Sequence, residues 1–253
     1  MKDKFAIFLD IDGTIFDGKE IKKEDIDAIN KARKAGHFVF INTGRSYAVI
    51  QDEIKRLELD GIIAGLGTHI TYKGKTLRGV IIPPELLCDI AEYALSENLT
   101  IQFQGETESL FINCDMDPEK TVTDASDMLG KFRDVRISKF IIKDQFSEKD
   151  RAFLSDKFDI YQFKAYGEVA PKGYSKARGI KIIEDYLGIP HENTIAIGDS
   201  ANDSDMIGYA AIGVAMGNAE ASLKLKADYV TASIKDAGVS KAIKKIVLGG
   251  GEE

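Results

Sequence analysis

An α/β protein built on a parallel, doubly wound sheet, with a smaller α+β unit inserted into it, is the fold this 253-residue sequence predicts. Three observations carry the prediction. Short apolar runs alternate with helix-patterned segments toward both ends of the chain, the rhythm of a parallel sheet with right-handed crossovers. The rhythm breaks in the middle, where pairs of strand-like runs are mixed with helices. Several outer apolar runs also stop at acidic or hydroxyl residues, as expected where the carboxyl edge of an open sheet binds a ligand.

The elements follow in order. Residues 5–9 form an apolar run that stops at Asp10. Residues 22–34 read as a helix, because Ile26, Ile29 and Ala32 recur at helical spacing and Gly36 suits its end. Residues 38–41 are a second strand, 47–57 a second helix and 61–64 a third strand. Lys73-Gly74-Lys75 then reads as a hairpin turn between residues 70–72 and 78–82, and Pro83-Pro84 breaks the chain. Residues 85–96 read as a helix, and 100–104 and 109–113 as paired strands. Helices near 122–129 and 147–157 alternate with strands near 139–142 and 160–163. The α/β rhythm returns with a helix over 175–187 and a strand over 194–197 that stops at Gly198-Asp199. A helix over 203–209, a strand over 211–214 and a helix over 219–226 follow. The expected division is a core of residues 1–82 and 168–253 with an inserted unit over 83–167. The glycine-rich tail at 249–253 is expected to be disordered.

Composition removes several functional classes. The chain is 44% hydrophobic and 30% charged, ordinary for a globular protein that buries a sizeable core. A net charge of −7 argues against a nucleic-acid partner, which asks for a basic footprint. No run approaches the 18 or more apolar residues of a membrane span, and the five apolar residues before Asp10 are too few for a secretory signal. Cys88 and Cys114 fit no metal or redox spacing and read as free thiols. A cytoplasmic protein is expected, as a monomer or homodimer.

Four clusters carry chemistry. Asp10-Ile11-Asp12-Gly13-Thr14 follows an apolar strand directly, so two carboxylates spaced i and i+2 can face the same sheet edge. A calcium loop is excluded, because counting from Asp10 puts Ile15 and Ile21 where that loop needs Gly and Glu. A plain turn remains the alternative. Asp199, Asn202, Asp203 and Asp205 crowd one strand-to-helix turn. A helix cap needs one such residue, and carboxylates gathered in this way repel unless a cation or a proton intervenes. Magnesium suits such hard oxygens. Thr43-Gly44-Arg45 can hold phosphate oxygens at a helix start, although taken alone a simple N-cap at Thr43 is the better explanation. Lys176 can neutralise phosphoryl charge, or it can face solvent.

Taken together, the four clusters resemble the motifs of the haloacid dehalogenase superfamily, and within it the Cof-type sugar phosphatases with a type IIB cap. The first motif matches Asp10 to Thr14, the second Thr43-Gly44-Arg45, the third Lys176 and the fourth Gly198 to Asp203, continuing to Asn218-Ala219. The order is the family's, and the likeness covers essentially the whole chain. Two positions depart from the pattern: Ala177 stands where glycine is usual, and Leu66-Gly67 where Asn-Gly is usual. The resemblance implies a Rossmann-like core with the 83–167 unit as a cap that excludes water and reads the leaving group. It implies a Mg²⁺-dependent phosphatase acting on a small phosphomonoester, with Asp10 as nucleophile and Asp12 as general acid and base. Mg²⁺ would sit on Asp10, Asp199 and the carbonyl of Asp12. Thr43, Gly44, Lys176 and Asn202 would hold the transferring oxygens, with Asp203 in support. A phosphohexomutase and a phosphosugar-binding protein without turnover are the alternatives. Gln102, Gln104 and Glu106 are candidates for facing a sugar, and alternation along an exposed strand explains them equally well.

Overall fold

The computed structural model describes residues 4–143 and 145–249. The chain opens with β1 (Ala6–Leu9), α1 (Lys23–Lys34), β2 (Phe38–Asn42), α2 (Asp52–Lys55), β3 (Gly61–Ala64), β4 (His69–Tyr72) and β5 (Lys75–Gly79). The middle holds α3 (Pro84–Ser96), β6 (Ile101–Gly105), β7 (Ser109–Ile112), β8 (Ile137–Ile142), α4 (Glu148–Leu154), β9 (Phe158–Gln162) and β10 (Gly167–Pro171). It ends with α5 (Lys176–Leu187), β11 (Thr194–Gly198), α6 (Ser204–Tyr209), β12 (Ile212–Ala215), α7 (Ala221–Lys226), β13 (Tyr229–Val230) and α8 (Gly238–Ile246).

Two compact units result. One comprises the described residues of Met1–Gly44, Asp52–Leu77 and Ser175–Glu253, the other Arg45–Gln51 and Arg78–Tyr174. The first is built on a sheet of order β13-β12-β11-β1-β2-β3-β4-β5. The strands from β13 to β3 run parallel, and β4 turns antiparallel to β3. The α/β expectation therefore holds. Strand β1 is the switch point: later strands leave it in both directions, and such a point opens a crevice at the carboxyl edge. All four residues of β1 are buried, as a strand covered on both faces requires. Phe8 stacks on Phe40 with ring centroids 5.4 Å apart.

The second unit is a five-stranded sheet of order β7-β6-β8-β10-β9. One face packs Ile101, Phe103, Phe140 and Val169 against Leu87, Ile90 and Ala94 of α3. This unit is wider than the expected 83–167. The pattern of residues 167–171 predicts no strand, but β10 pairs with both β8 and β9, which draws residues 168–171 into this sheet. The Ile82 N–H donates to the Ile137 carbonyl at 2.8 Å, which ties the entry segment to β8. The helix expected over 47–57 divides: Tyr47–Val49 is a 3-10 turn, Ile50 is extended, and α2 begins at Asp52. The Arg45 guanidinium donates to the Val49 carbonyl at 3.2 Å, taking an acceptor that a continuous helix would use. The helix expected near 122–129 is a 3-10 turn over Ala125–Met128, closed by a capping box between Asp124 and Asp127. Both cysteines are free. Among the described residues no helix is long and apolar enough to cross a membrane. Of the tail expected to be disordered, residues 250–253 lie outside the described residues.

Candidate active site

Three neighbouring parallel strands deliver the first groups. Asp10 follows β1, and its N–H donates to the Ile197 carbonyl of β11 at 3.0 Å, which seats it between the two strands. Beyond it the chain winds into a tight turn in which the N–H groups of Thr14, Ile15 and Phe16 all point to the Ile11 carbonyl. Ile11 and Ile15 anchor that turn in the core, while the side chain of Asp12 is exposed. Gly13 has φ +76°, and a β-carbon there would stand 2.1 Å from Asp199 Oδ2. Glycine is needed on both counts. Asp199 follows β11 and accepts from the Thr14 hydroxyl at 3.5 Å. Thr43 follows β2 and is buried, its N–H donating to the Ile63 carbonyl at 2.9 Å.

Lys176 opens α5 and is wholly buried. Its ammonium donates to Asp10 Oδ1 at 2.8 Å, to Asp203 Oδ1 at 2.5 Å and to Asn202 Oδ1 at 3.3 Å. Asp203 Oδ2 accepts the N–H groups of Asp199 and Ser200 at 2.9 and 3.0 Å. One carboxylate thus both shapes the loop after β11 and holds the lysine. A β-carbon at Gly198 would come within 2.5 Å of the Asp203 carboxyl carbon, so that loop also needs its glycine. Two residues that place the site were not singled out from the sequence for that role. The Asn42 side-chain amide donates to the Lys176 carbonyl at 3.0 Å and fixes the start of α5. Asn218 joins the Gly13 carbonyl to the Ile234 N–H, at 2.8 Å each. An asparagine ending an otherwise apolar strand was the available signal for Asn42.

The electrostatics follow from burial. Oxygens of Asp10, Asp199 and Asp203 all lie within 4.8 Å of one another. Burial, with the charges of Asp203 and Asp199 added, pushes the Asp10 carboxyl up to about 8 against the pull of Lys176. Burial and Asp203 push Asp199 up to about 7. Burial would lower the Lys176 ammonium, but Asp10 and Asp203 outweigh it and hold the group charged, above its ordinary range. Two carboxyls driven toward the protonated form beside one fixed cation are the condition a bound divalent cation relieves. The donors are hard oxygens, so the site fits Mg²⁺. The sequence placed Asp10, Lys176, Asn202, Asp199 and Asp203 together, and the structure does bring them together. Asp203, expected only in support, stands in the carboxylate cluster, whereas the Asp12 side chain lies outside that cluster.

A central strand ending in an aspartate, a buried lysine bound to that aspartate and an acidic loop on the next strand define a phosphoryl-transfer class of α/β hydrolase. The profile of the haloacid dehalogenase-like hydrolases matches residues 7–243, and the chain belongs to that family. It is 28% identical to the 5-amino-6-(5-phospho-D-ribitylamino)uracil phosphatase YitU of Bacillus subtilis, over 95% of this chain and 97% of that protein. It is 29% identical to a phosphoglycolate phosphatase of Methanobrevibacter smithii, over 96% and 98% of the two chains. The solved structure of the subclass IIB sugar phosphatase BT4131 superposes with a TM-score of 0.79 at 29% identity, covering 96% of this chain and 98% of that one.

Proposed function

We propose that this chain is a Mg²⁺-dependent phosphatase that hydrolyses small phosphate monoesters, sugar phosphates or similar, through an aspartyl-phosphate on Asp10. The enzyme class is that of a phosphoric monoester hydrolase, in line with its family and its relatives. The observation that carries the mechanism is the buried Lys176 ammonium bonded at once to Asp10 and Asp203. It steadies a carboxylate where a nucleophile belongs and leaves positive charge where phosphoryl oxygens arrive.

In this reading Asp10 attacks phosphorus and the bond to the leaving oxygen breaks, which splits hydrolysis into two easier steps. Asp12 gives its proton to that oxygen, then takes one from the water that attacks the aspartyl-phosphate. Inorganic phosphate leaves and Asp10 is restored. Thr43, the Gly44 N–H, Lys176 and Asn202 hold the transferring oxygens. Asp203 orients Lys176. The carboxylates of Asp10 and Asp199 and the carbonyl of Asp12 would hold Mg²⁺. When bound, the ion offsets repulsion between Asp10 and the substrate dianion. The partner is a small-molecule phosphomonoester, and the cytoplasm is the compartment.

The test is phosphate release from a panel of small phosphomonoesters, with Mg²⁺ and with chelator, for the wild type and Asp10→Asn. Expected is metal-dependent release that falls at least about a thousandfold in the variant. Release that survives Asp10→Asn sinks the covalent mechanism. Interconversion of sugar phosphates without free phosphate makes the protein a mutase, and binding without turnover makes it a sensor.

A further inference from the structure

The main chain at Lys176 is held in a way that the mechanism above does not use. Lys176 is the first residue of α5, and the capping Ser175 hydroxyl accepts the Arg178 N–H at 3.2 Å. A helix start leaves its first N–H groups without partners inside the helix. The Ala177 N–H finds one in another element, donating to Asp205 Oδ2 of α6 at 3.1 Å. From the other side Asn42, at the end of β2, donates its amide to the Lys176 carbonyl at 3.0 Å. That carbonyl and that N–H belong to one peptide group. Side chains from two different elements therefore grip the peptide bond between Lys176 and Ala177 at both ends. All of these residues lie within the first unit.

The bed under this peptide is close-packed. A β-carbon at Gly67, in the turn after β3, would stand 2.7 Å from the Ser175 carbonyl oxygen, and one at Gly179 would stand 2.4 Å from Ile63 Cγ2 of β3. The start of α5 thus has no room to move toward β3, and the two side-chain hydrogen bonds oppose its withdrawal from β2 and α6.

For stability alone, Asn42 is a poor choice. It is 0% exposed, and its Oδ1 is buried with no hydrogen-bond partner. The Lys176 carbonyl can only accept, so the amide nitrogen faces it and the amide oxygen is left over. The carbonyl does not need the bond either, because inside an α-helix it accepts from the residue four places on. A buried acceptor left unpaired is destabilising, and a leucine of similar shape would remove it. What the bond secures is position. The Lys176 ammonium sits at the end of a long, flexible side chain and must reach Asp10 Oδ1 at 2.8 Å and Asn202 Oδ1 at 3.3 Å. Displacing such a group by about 1 Å can cost a hundredfold in rate.

We propose that Asn42 and Asp205 are positioning residues for phosphoryl transfer: they clamp the Lys176–Ala177 peptide and so place the Lys176 ammonium where the transferring oxygens arrive. The inference rests on the phosphatase reading. It separates two properties that usually fall together, since Asn42 supports the rate while lowering stability.

The experiment measures kcat and KM for phosphate release from p-nitrophenyl phosphate and glucose 6-phosphate with Mg²⁺, and urea unfolding in the same buffer. The proteins are the wild type, Asn42→Leu, Asp205→Ala and Asp205→Asn. Expected for Asn42→Leu is a kcat at least about tenfold lower, a KM within about threefold, and an unfolding midpoint at or above that of the wild type. A residue needed only for folding would lower the midpoint and leave kcat per folded molecule intact. Asp205→Ala is expected to lower kcat at least about fivefold. Asp205→Asn keeps a carbonyl oxygen for the Ala177 N–H, so it recovers most of that loss. A kcat within twofold of wild type in Asn42→Leu overturns the proposal. So does an Asn42→Leu protein that unfolds at lower urea or fails to fold, because asparagine would then serve stability. Equal losses in Asp205→Ala and Asp205→Asn assign the effect to charge and overturn the role of Asp205. Each of these results leaves the phosphatase reading standing. Absence of phosphate release by the wild type from both esters and from the panel above overturns that reading, and this inference with it.

Discussion

Replacing Lys176 by methionine removes a buried charge and keeps most of its volume. The ammonium lies 2.8 Å from Asp10 and 2.5 Å from Asp203, and nothing of it reaches solvent. At an effective permittivity of 20, charges about 2.8 Å apart attract by roughly 6 kcal/mol, which lost hydration partly offsets. Deleting one partner of a buried pair costs about 3–5 kcal/mol. An independent route gives a similar figure. Asp10 already favours a proton beside Lys176, so the carboxylate newly stranded is that of Asp203, and holding one carboxyl protonated at pH 7 against an ordinary value near 3.9 costs about 4 kcal/mol. The second route has a signature. At pH 5 the same protonation costs only about 1.5 kcal/mol, so the gap between variant and wild type shrinks by more than half. The sign follows from linkage: the folded variant binds a proton that the unfolded chain does not, so its relative stability rises as pH falls toward 4. Urea unfolding of both proteins in chelator, at pH 7 and pH 5, measures the two gaps. A gap under about 1 kcal/mol at pH 7, or one that ignores pH, refutes the reasoning.

Two other perturbations test the same physics elsewhere in the chain. Gly13→Ala puts a methyl group at φ +76° and 2.1 Å from Asp199 Oδ2. The backbone strain alone is about 1–2 kcal/mol, and the displaced carboxylate should cut kcat at least about tenfold. Phosphate release at saturating substrate measures it, and an unchanged kcat sinks the claim. Asp25 is buried on α1 and accepts the Ser240 N–H of α8 at 2.6 Å, while its Oδ2 has no hydrogen-bond partner. Burial pushes its carboxyl up to about 6, above the unfolded value of 3.8. The folded state therefore favours the protonated form, and stability falls as pH rises from about 4 to about 6. Asp25→Asn keeps the acceptor for Ser240 and removes this dependence. It should gain about 1–2 kcal/mol on the wild type between pH 4 and pH 6.5, a range set below the full shift to allow for solvent screening. Parallel stability curves for the two proteins would exclude it.

The residues that do chemistry were legible because their chemistry fixes both type and spacing. An aspartate that ends an apolar strand, followed two places on by another, has few structural uses. The acidic loop after β11 holds more acceptors than a helix cap needs. What the sequence hid were relations that depend on who packs against whom. β10 begins with glycine and ends with proline, so by pattern it reads as a connection, and pairing on both sides makes it a strand. Residues 47–57 have the spacing of a helix, but a side chain of the same segment takes one of its carbonyls. Propensity is a weak prior, and local competition of this kind overrides it.

The polar residues of the five-stranded sheet show the limit most sharply. Gln102 and Gln104 were visible as polar positions on an alternating strand, and alternation alone cannot separate a solvated face from a covered polar one, since both read polar at every second residue. Lys139 and Glu168 were not legible even as candidates, because one sits in a strand rich in isoleucine and the other in a strand the pattern missed. Burial separates the two meanings. A solvated face would leave the lysine ammonium in water with its stem along the sheet. Here the whole Lys139 side chain is covered and its ammonium lies 2.9 Å from Glu168 Oε2, a pairing across strands that no pattern along the sequence announces.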